Sequence, residues 1–156
     1  MFGLDLHPAL VHFPIALGVV GAVFELLYFV IRRNGVRWFG PIVLTLALAG
    51  SGAAYFSGQS VKDKAEDQGA PHDAVEKHET TCVWALGALG LATLLSWAVR
   101  PTGRGLWLSS LIALVAAALT LYTGYLGAEL VYVHGAGRVK AVVHPVKPPP
   151  RKGAKR

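Results

Sequence analysis

The chain has 156 residues, of which 53% are hydrophobic and 15% charged, with a mean hydropathy of +0.46 and a formal net charge of +6. A soluble domain of this length needs far more charge to cover its surface, so the composition excludes one and indicates a membrane protein. A single cysteine, Cys82, excludes an intramolecular disulfide.

Four apolar stretches follow one another at residues 9–31, 38–56, 82–99 and 106–133. Each is close to or above the roughly 20 residues that cross a hydrocarbon core, and backbone groups in lipid must be satisfied internally, so helices are expected. The predicted fold is all-α: a polytopic, antiparallel bundle of four transmembrane helices over residues 1–137, followed by a tail at 138–156. No basic residue precedes the first apolar run, so that run is expected to stay as a membrane helix and not to be cleaved as a secretory signal.

The first helix should begin near Pro8, where a missing N–H costs nothing, with Asp5 or His7 as a rough cap. Pro14 follows closely and predicts an irregular or kinked start between His7 and Pro14, which would present His12 and free backbone groups. Glu25 lies inside this span. An acid there is expensive in lipid and must face the bundle or reach the interface to pair with an arginine such as Arg32; proton handling is the alternative. Further along, Gly50, Gly52 and Gly58, then Gly87 and Gly90, then Gly124 and Gly127 either let helices approach closely or make room for a flat cofactor. Residues 59–79 form the one long polar connection. Its second half, from Pro71, has helical features and reads as an extension of the third span, on which His78 and Cys82 share a face, as do His72 and Glu76. The fourth helix should end at His134-Gly135, with the glycine suited to a left-handed cap. The tail is basic and proline-rich, expected to be extended and to meet anionic lipid or an acidic partner.

Charge placement orients the bundle. The connections at 32–37 and 100–105 carry five arginines and no acid, and short basic loops stay in the cytoplasm. Both termini then lie on the exoplasmic side, although the seven Lys and Arg of the tail pull the other way. All six histidines fall at that exoplasmic edge: His7, His12, His72, His78, His134 and His144.

A one-sided set of imidazoles suggests a ligand site. Haem b in a membrane bundle needs imidazoles from different helices at matched depth, an apolar slot, and positive groups for its propionates. His12, His78 and His134 come from three helices within about two turns of one bilayer edge, and His7 stands in reserve on a different face. Lys62, Lys64, Arg138 and Lys140 are candidate propionate partners. Tyr55, Trp84, Tyr125 and Tyr132 are candidate walls, and Glu79 and Glu129 candidate partners for the axial imidazoles. His72 and His144 read as hydrated residues. Two alternatives stay open: a metal site using His78 with Cys82 or His72 with Glu76, and a cofactor-free structural or accessory subunit whose histidines tune an interface or sense pH.

No hydrolase elbow, phosphate loop or dinucleotide fingerprint is present, so the chain is not expected to be an enzyme. The tail lacks interleaved aromatics, which argues against nucleic acid as a partner. Small residues on the helix faces suggest association, either as a homodimer or within a respiratory or electron-transfer complex.

Four segments together carry a family resemblance: HPALVHFPIALG at 7–18, GSGAAYFSG at 50–58, the loop histidine of KHE at His78, and GAELVYVHGAG at 127–137. They resemble the bacterial membrane proteins of domain-of-unknown-function family 2231 through all four spans, leaving out the tail. The resemblance implies a small four-helix integral protein of the bacterial inner membrane with recurring histidines, for which haem is a suspected ligand.

The orientation is directly testable in a Cys82→Ala background. A cysteine placed at Gly69 should be labelled by an impermeant reagent on intact cells, and one placed at Asn34 only after the membrane is opened.

Overall fold

The computed structural model describes residues 7–137. Helix α1 (His7–Leu10) is followed by a turn at Val11 and then α2 (His12–Ile31). A short 3-10 turn at Asn34–Val36 leads into α3 (Phe39–Gln59), and a small helix, α4 (Lys62–Asp67), precedes α5 (His72–Val99) and α6 (Leu106–Tyr132). No strand occurs among the described residues. Four segments are long and apolar enough to cross a membrane: His7–Ile31, Asn34–Gln59, His72–Val99 and Leu106–Tyr132. The expected tail, with Arg138, Lys140 and His144, lies outside the described residues, as does Asp5.

Helix α2 packs on α3 and α6, and α5 packs on α6 and α3, which closes an antiparallel ring of four. The break between α1 and α2 falls where the prolines predict it. Pro14 has no N–H to offer the carbonyl of Leu10, and the ladder weakens there, with Ile15 N reaching Val11 O at 3.4 Å.

Small residues make the core. Ala22, Ala47, Ala92, Ala113 and Ala116 are almost wholly buried around Leu44 and Leu89. Lipid is as apolar as leucine, so burial alone does not bring these helices together; close dispersion contact does. Gly21 illustrates the point, because a Cβ there would lie 2.7 Å from Leu44 Cδ2 and 3.3 Å from the Leu44 backbone nitrogen. The outer surface carries Phe13, Val30, Leu94 and Trp107, all well exposed, as a lipid-facing surface requires.

Polar side chains enter this core at the end that bears the arginine loops. Glu25 is fully buried, and its partner is Arg100, not the neighbouring Arg32. Arg32 takes a left-handed backbone (φ 53°) as the C-cap of α2, which turns the chain away at that point. The carboxylate also accepts from Ser96 Oγ at 2.5 Å and Ser109 Oγ at 2.7 Å. The Arg100 guanidinium stacks on the Tyr28 ring at 4.5 Å. Gly40 leaves space for the pair, since a Cβ there would collide with Glu25 Oε1.

At the opposite end the long connection is more ordered than the sequence suggests. Its second half extends α5 as expected, but its first half also coils, into α4. Ala70, Val75, Leu130 and Ala136 form a small apolar cluster that holds this cap to α6. Helix α6 ends at Tyr132, and Gly135 adopts the expected left-handed conformation (φ +76°) while Ala136 N closes onto Leu130 O at 2.9 Å.

Replacing Glu25 by Leu or Arg100 by Met should each destabilise the bundle by about 3–5 kcal/mol, because one charge is left buried alone. The double replacement should recover most of that loss. Thermal unfolding of the four proteins in one detergent checks the cycle; strictly additive losses would show that the two groups are not coupled.

Candidate functional site

Two cavities with walls in common occupy the histidine end. The smaller, about 150 Å³, lies under α4 and is bordered by Tyr55, Lys62, Lys64, Gln68, His78 and Cys82 among others. The larger, about 300 Å³, runs between the four long helices, from the exposed His12 and Tyr132 down to the buried Ala85 and Thr120. Both are bordered by His7, Tyr55, His78 and Cys82, so the two spaces meet at one pair of imidazoles. Small-molecule sites commonly measure about 300–1,000 Å³, and the larger cavity alone reaches the bottom of that range.

His7 stands on α1, where the proline-broken start turns its ring toward α3. Its Nδ1 lies 2.9 Å from Ser57 Oγ, and that hydroxyl spends its single hydrogen on the Ala54 carbonyl at 2.8 Å. Ser57 can therefore only accept from the ring. With the hydroxyl hydrogen on that carbonyl, the ring hydrogen belongs on Nδ1, and the ring also meets the Ala54 backbone. A metal-ligating histidine needs one ring nitrogen anchored in this way.

His78 enters from α5. Its Nε2 lies 3.6 Å from Cys82 Sγ, the ring also meets the Thr123 backbone, and its Nδ1 is buried without a well-formed hydrogen bond. Buried polar atoms are rarely left unpaired, so an orphaned imidazole nitrogen on a cavity wall marks a place for a ligand. Two glycines make room for the rings. A Cβ at Gly58 would lie 3.0 Å from His7 Cε1, and one at Gly127 would lie 3.2 Å from His78 Cε1.

Of the other predicted residues, His12 borders only the larger cavity; its ring is exposed and its Nδ1 donates to the Pro8 carbonyl at 2.6 Å. His134 borders neither cavity. His72, exposed, is paired with Glu66 at 2.9 Å, consistent with a hydrated role. Tyr55 and Tyr132 do line the space, whereas Trp84 and Tyr125 are 69% and 63% exposed and lie outside it. Glu79 accepts from Lys62 at 2.5 Å and from Gln59 at 2.7 Å and makes no hydrogen bond to a histidine among the described residues. That bond to Glu79 also raises the pKa of the Lys62 ammonium above its ordinary value, which keeps a positive charge at the cavity rim. Among the described residues no group of three or more His, Cys, Asp or Glu is arranged to hold a bare metal ion.

Sequence reasoning ranked His7 behind His12 and missed Ser57 altogether. Depth along a helix counts only spacing, and the α1 break rotates His7 inward. Nothing in a single sequence links Ser57 to a ring fifty residues earlier.

A four-span helical membrane protein with a paired-histidine cavity at one end is the class that this geometry defines. The chain belongs to the family of predicted membrane proteins designated DUF2231, whose model matches residues 3–140. No curated protein matches the chain. No solved structure matches it either.

The assigned hydrogen on His7 Nδ1 can be read by ¹⁵N NMR of histidine-labelled protein. The wild type should show the Nδ1–H form at His7, and Ser57→Ala should shift it to a mixture of the two neutral forms. An unchanged spectrum in Ser57→Ala would remove Ser57 from the anchoring role.

Proposed function

We propose that this protein holds a b-type haem at its histidine end, with His7 and His78 as the axial ligands, and serves as a non-catalytic electron-transfer subunit. The observation that carries this reading is that two imidazoles from separate helices, His7 and His78, border both cavities. Bound haem would supply one-electron redox chemistry, tuned by its axial imidazoles and by the polarity around it.

The chain's own residues supply what such a group requires. Ser57 anchors His7 through Nδ1 and so orients Nε2. Gly58 and Gly127 keep the flanks of both rings clear. Lys62 and Lys64, on the rim formed by α4, suit carboxylates at the membrane surface. Thr120 and Thr123 donate their hydroxyl hydrogens to their own helix, at Ala116 O and Leu119 O, and so present only lone pairs. A macrocycle would need both spaces together, which is why the wall they share at His7 and His78 matters more than either volume.

In this reading the arginine loops face the cytoplasm of a bacterial cell and the haem edge faces outward. The physiological partner is a second copy of the chain or another respiratory or electron-transfer subunit.

A reduced-minus-oxidised optical spectrum of protein purified from haem-replete cells should show a b-type signal. His7→Ala and His78→Ala should each abolish it, Ser57→Ala should weaken haem retention about tenfold, and His72→Ala and His134→Ala should spare it. A colourless protein rejects the cytochrome reading, and loss at His134 with retention at His7 would move the site to the turn that follows α6.

A further inference from the structure

The end opposite the histidines is the more strongly charged one. Arg32, Arg33, Arg37, Arg100 and Arg104 lie in or beside its two short connections, and Glu25 is the one carboxylate at that end among the described residues. Glu25 is already saturated by Arg100 and two serines, and it offsets a single guanidinium.

Arg37 and Arg100 are joined directly, Nη2 of Arg37 donating to the Arg100 carbonyl at 2.6 Å. Three of their donor atoms stay buried with no acceptor from the protein: Nε and Nη1 of Arg100, and Nε of Arg37. Arg100 is only 1% exposed, so this is a buried charge with part of its hydrogen-bonding edge unmatched. Those donor atoms are closed off from the surface, so the uncompensated positive charge of this corner is felt outside through half-buried Arg37, where it favours an anion.

The depth of this corner indicates which anion. Arg37 lies over the Trp38 ring at 5.0 Å, Trp38 packs against Trp97 at 5.6 Å, and Trp107 is 60% exposed at the same end. Tryptophans gather where hydrocarbon meets headgroups, the layer that holds lipid phosphates. We propose that this corner binds the phosphodiester of an anionic lipid headgroup, with half-buried Arg37 as its principal donor and Arg100 as the fixed charge behind it. A planar guanidinium matches two phosphate oxygens at once, and basic pockets between membrane helices are suited to such headgroups. Inorganic phosphate shares the recognised chemistry, so the test must separate the two sources. This site stands apart from the histidine cavities and does not depend on what they hold.

The full-length protein, delipidated in neutral detergent, is mixed with phosphatidylglycerol, phosphatidylcholine or inorganic phosphate, and bound molecules are counted by native mass spectrometry alongside the thermal midpoint. One phosphatidylglycerol per chain is expected, retained about tenfold better than phosphatidylcholine and raising the midpoint. Arg37→Gln, which leaves Glu25, Ser96, Ser109 and Arg100 in place, should lower that retention about tenfold, and Arg37→Lys should restore only part of it because the fork is lost. His7→Ala and His78→Ala should retain the lipid fully. Displacement of the lipid by inorganic phosphate supports recognition of the phosphate group itself. Binding of inorganic phosphate without any lipid preference overturns the lipid as the source, and equal retention of the two lipids, or unchanged retention in Arg37→Gln, overturns the site.

Discussion

The buried pairing of Glu25 with Arg100 is the constraint around which the bundle is organised. Two charges in a membrane interior cost several kcal/mol each unless they meet with good geometry and further hydrogen bonds. Here Glu25 comes from α2, Arg100 and Ser96 from the end of α5, and Ser109 from α6. The fourth helix, α3, contributes by having nothing at Gly40, where any side chain would strike the carboxylate. Every long helix is thus held to one point at the arginine end. Such a pair adds little net stability over a well-packed apolar substitute, but it penalises any other helix register, because a slipped register strands a charge in lipid.

Locking one end leaves the other free to open. Below the ion pair the alanines and Leu44 and Leu89 fill the middle at close range. Above them the helices carry Ser57, Gly58, Gly124 and Gly127, and the space between holds cavities instead of side chains. The cap formed by α4 and the first turns of α5 covers that space, tied down by Lys62 to Glu79 and by Gly137 N to Gln68 Oε1 at 2.6 Å. A bundle tightened at one end and hollow at the other can hold a ligand without unravelling, since the rigid half sets the positions of the helices that wall the hollow half.

The same division explains how the glycines split in meaning. Gly21 and Gly40 are required by close contact, one against Leu44 and the other against Glu25. Gly58 and Gly127 face imidazole rings, and Gly52 and Gly87 face nothing within 4 Å. Spacing along a helix cannot distinguish these three situations, because each depends on what the neighbouring helix presents at that height.

The number of spans, their approximate limits, the proline-broken start, the α5 extension and the common end of the five described histidines are all legible in the sequence, because each follows from hydropathy, charge or backbone chemistry within a short segment. Lipid enforces that legibility: a span must be apolar for some twenty residues, and a proline withholds its N–H whatever surrounds it. Which arginine meets Glu25, and which histidines face each other, are decided only by the tertiary structure. Arg32 is the nearer in sequence to Glu25, but the left-handed turn at the end of α2 directs it outward while the antiparallel return of α5 delivers Arg100 to the carboxylate. His12 and His134 are well placed by depth, but helix rotation gives the shared cavity wall to His7 and His78 instead. Depth is a property of one helix; facing is a property of two, and only their packing sets it.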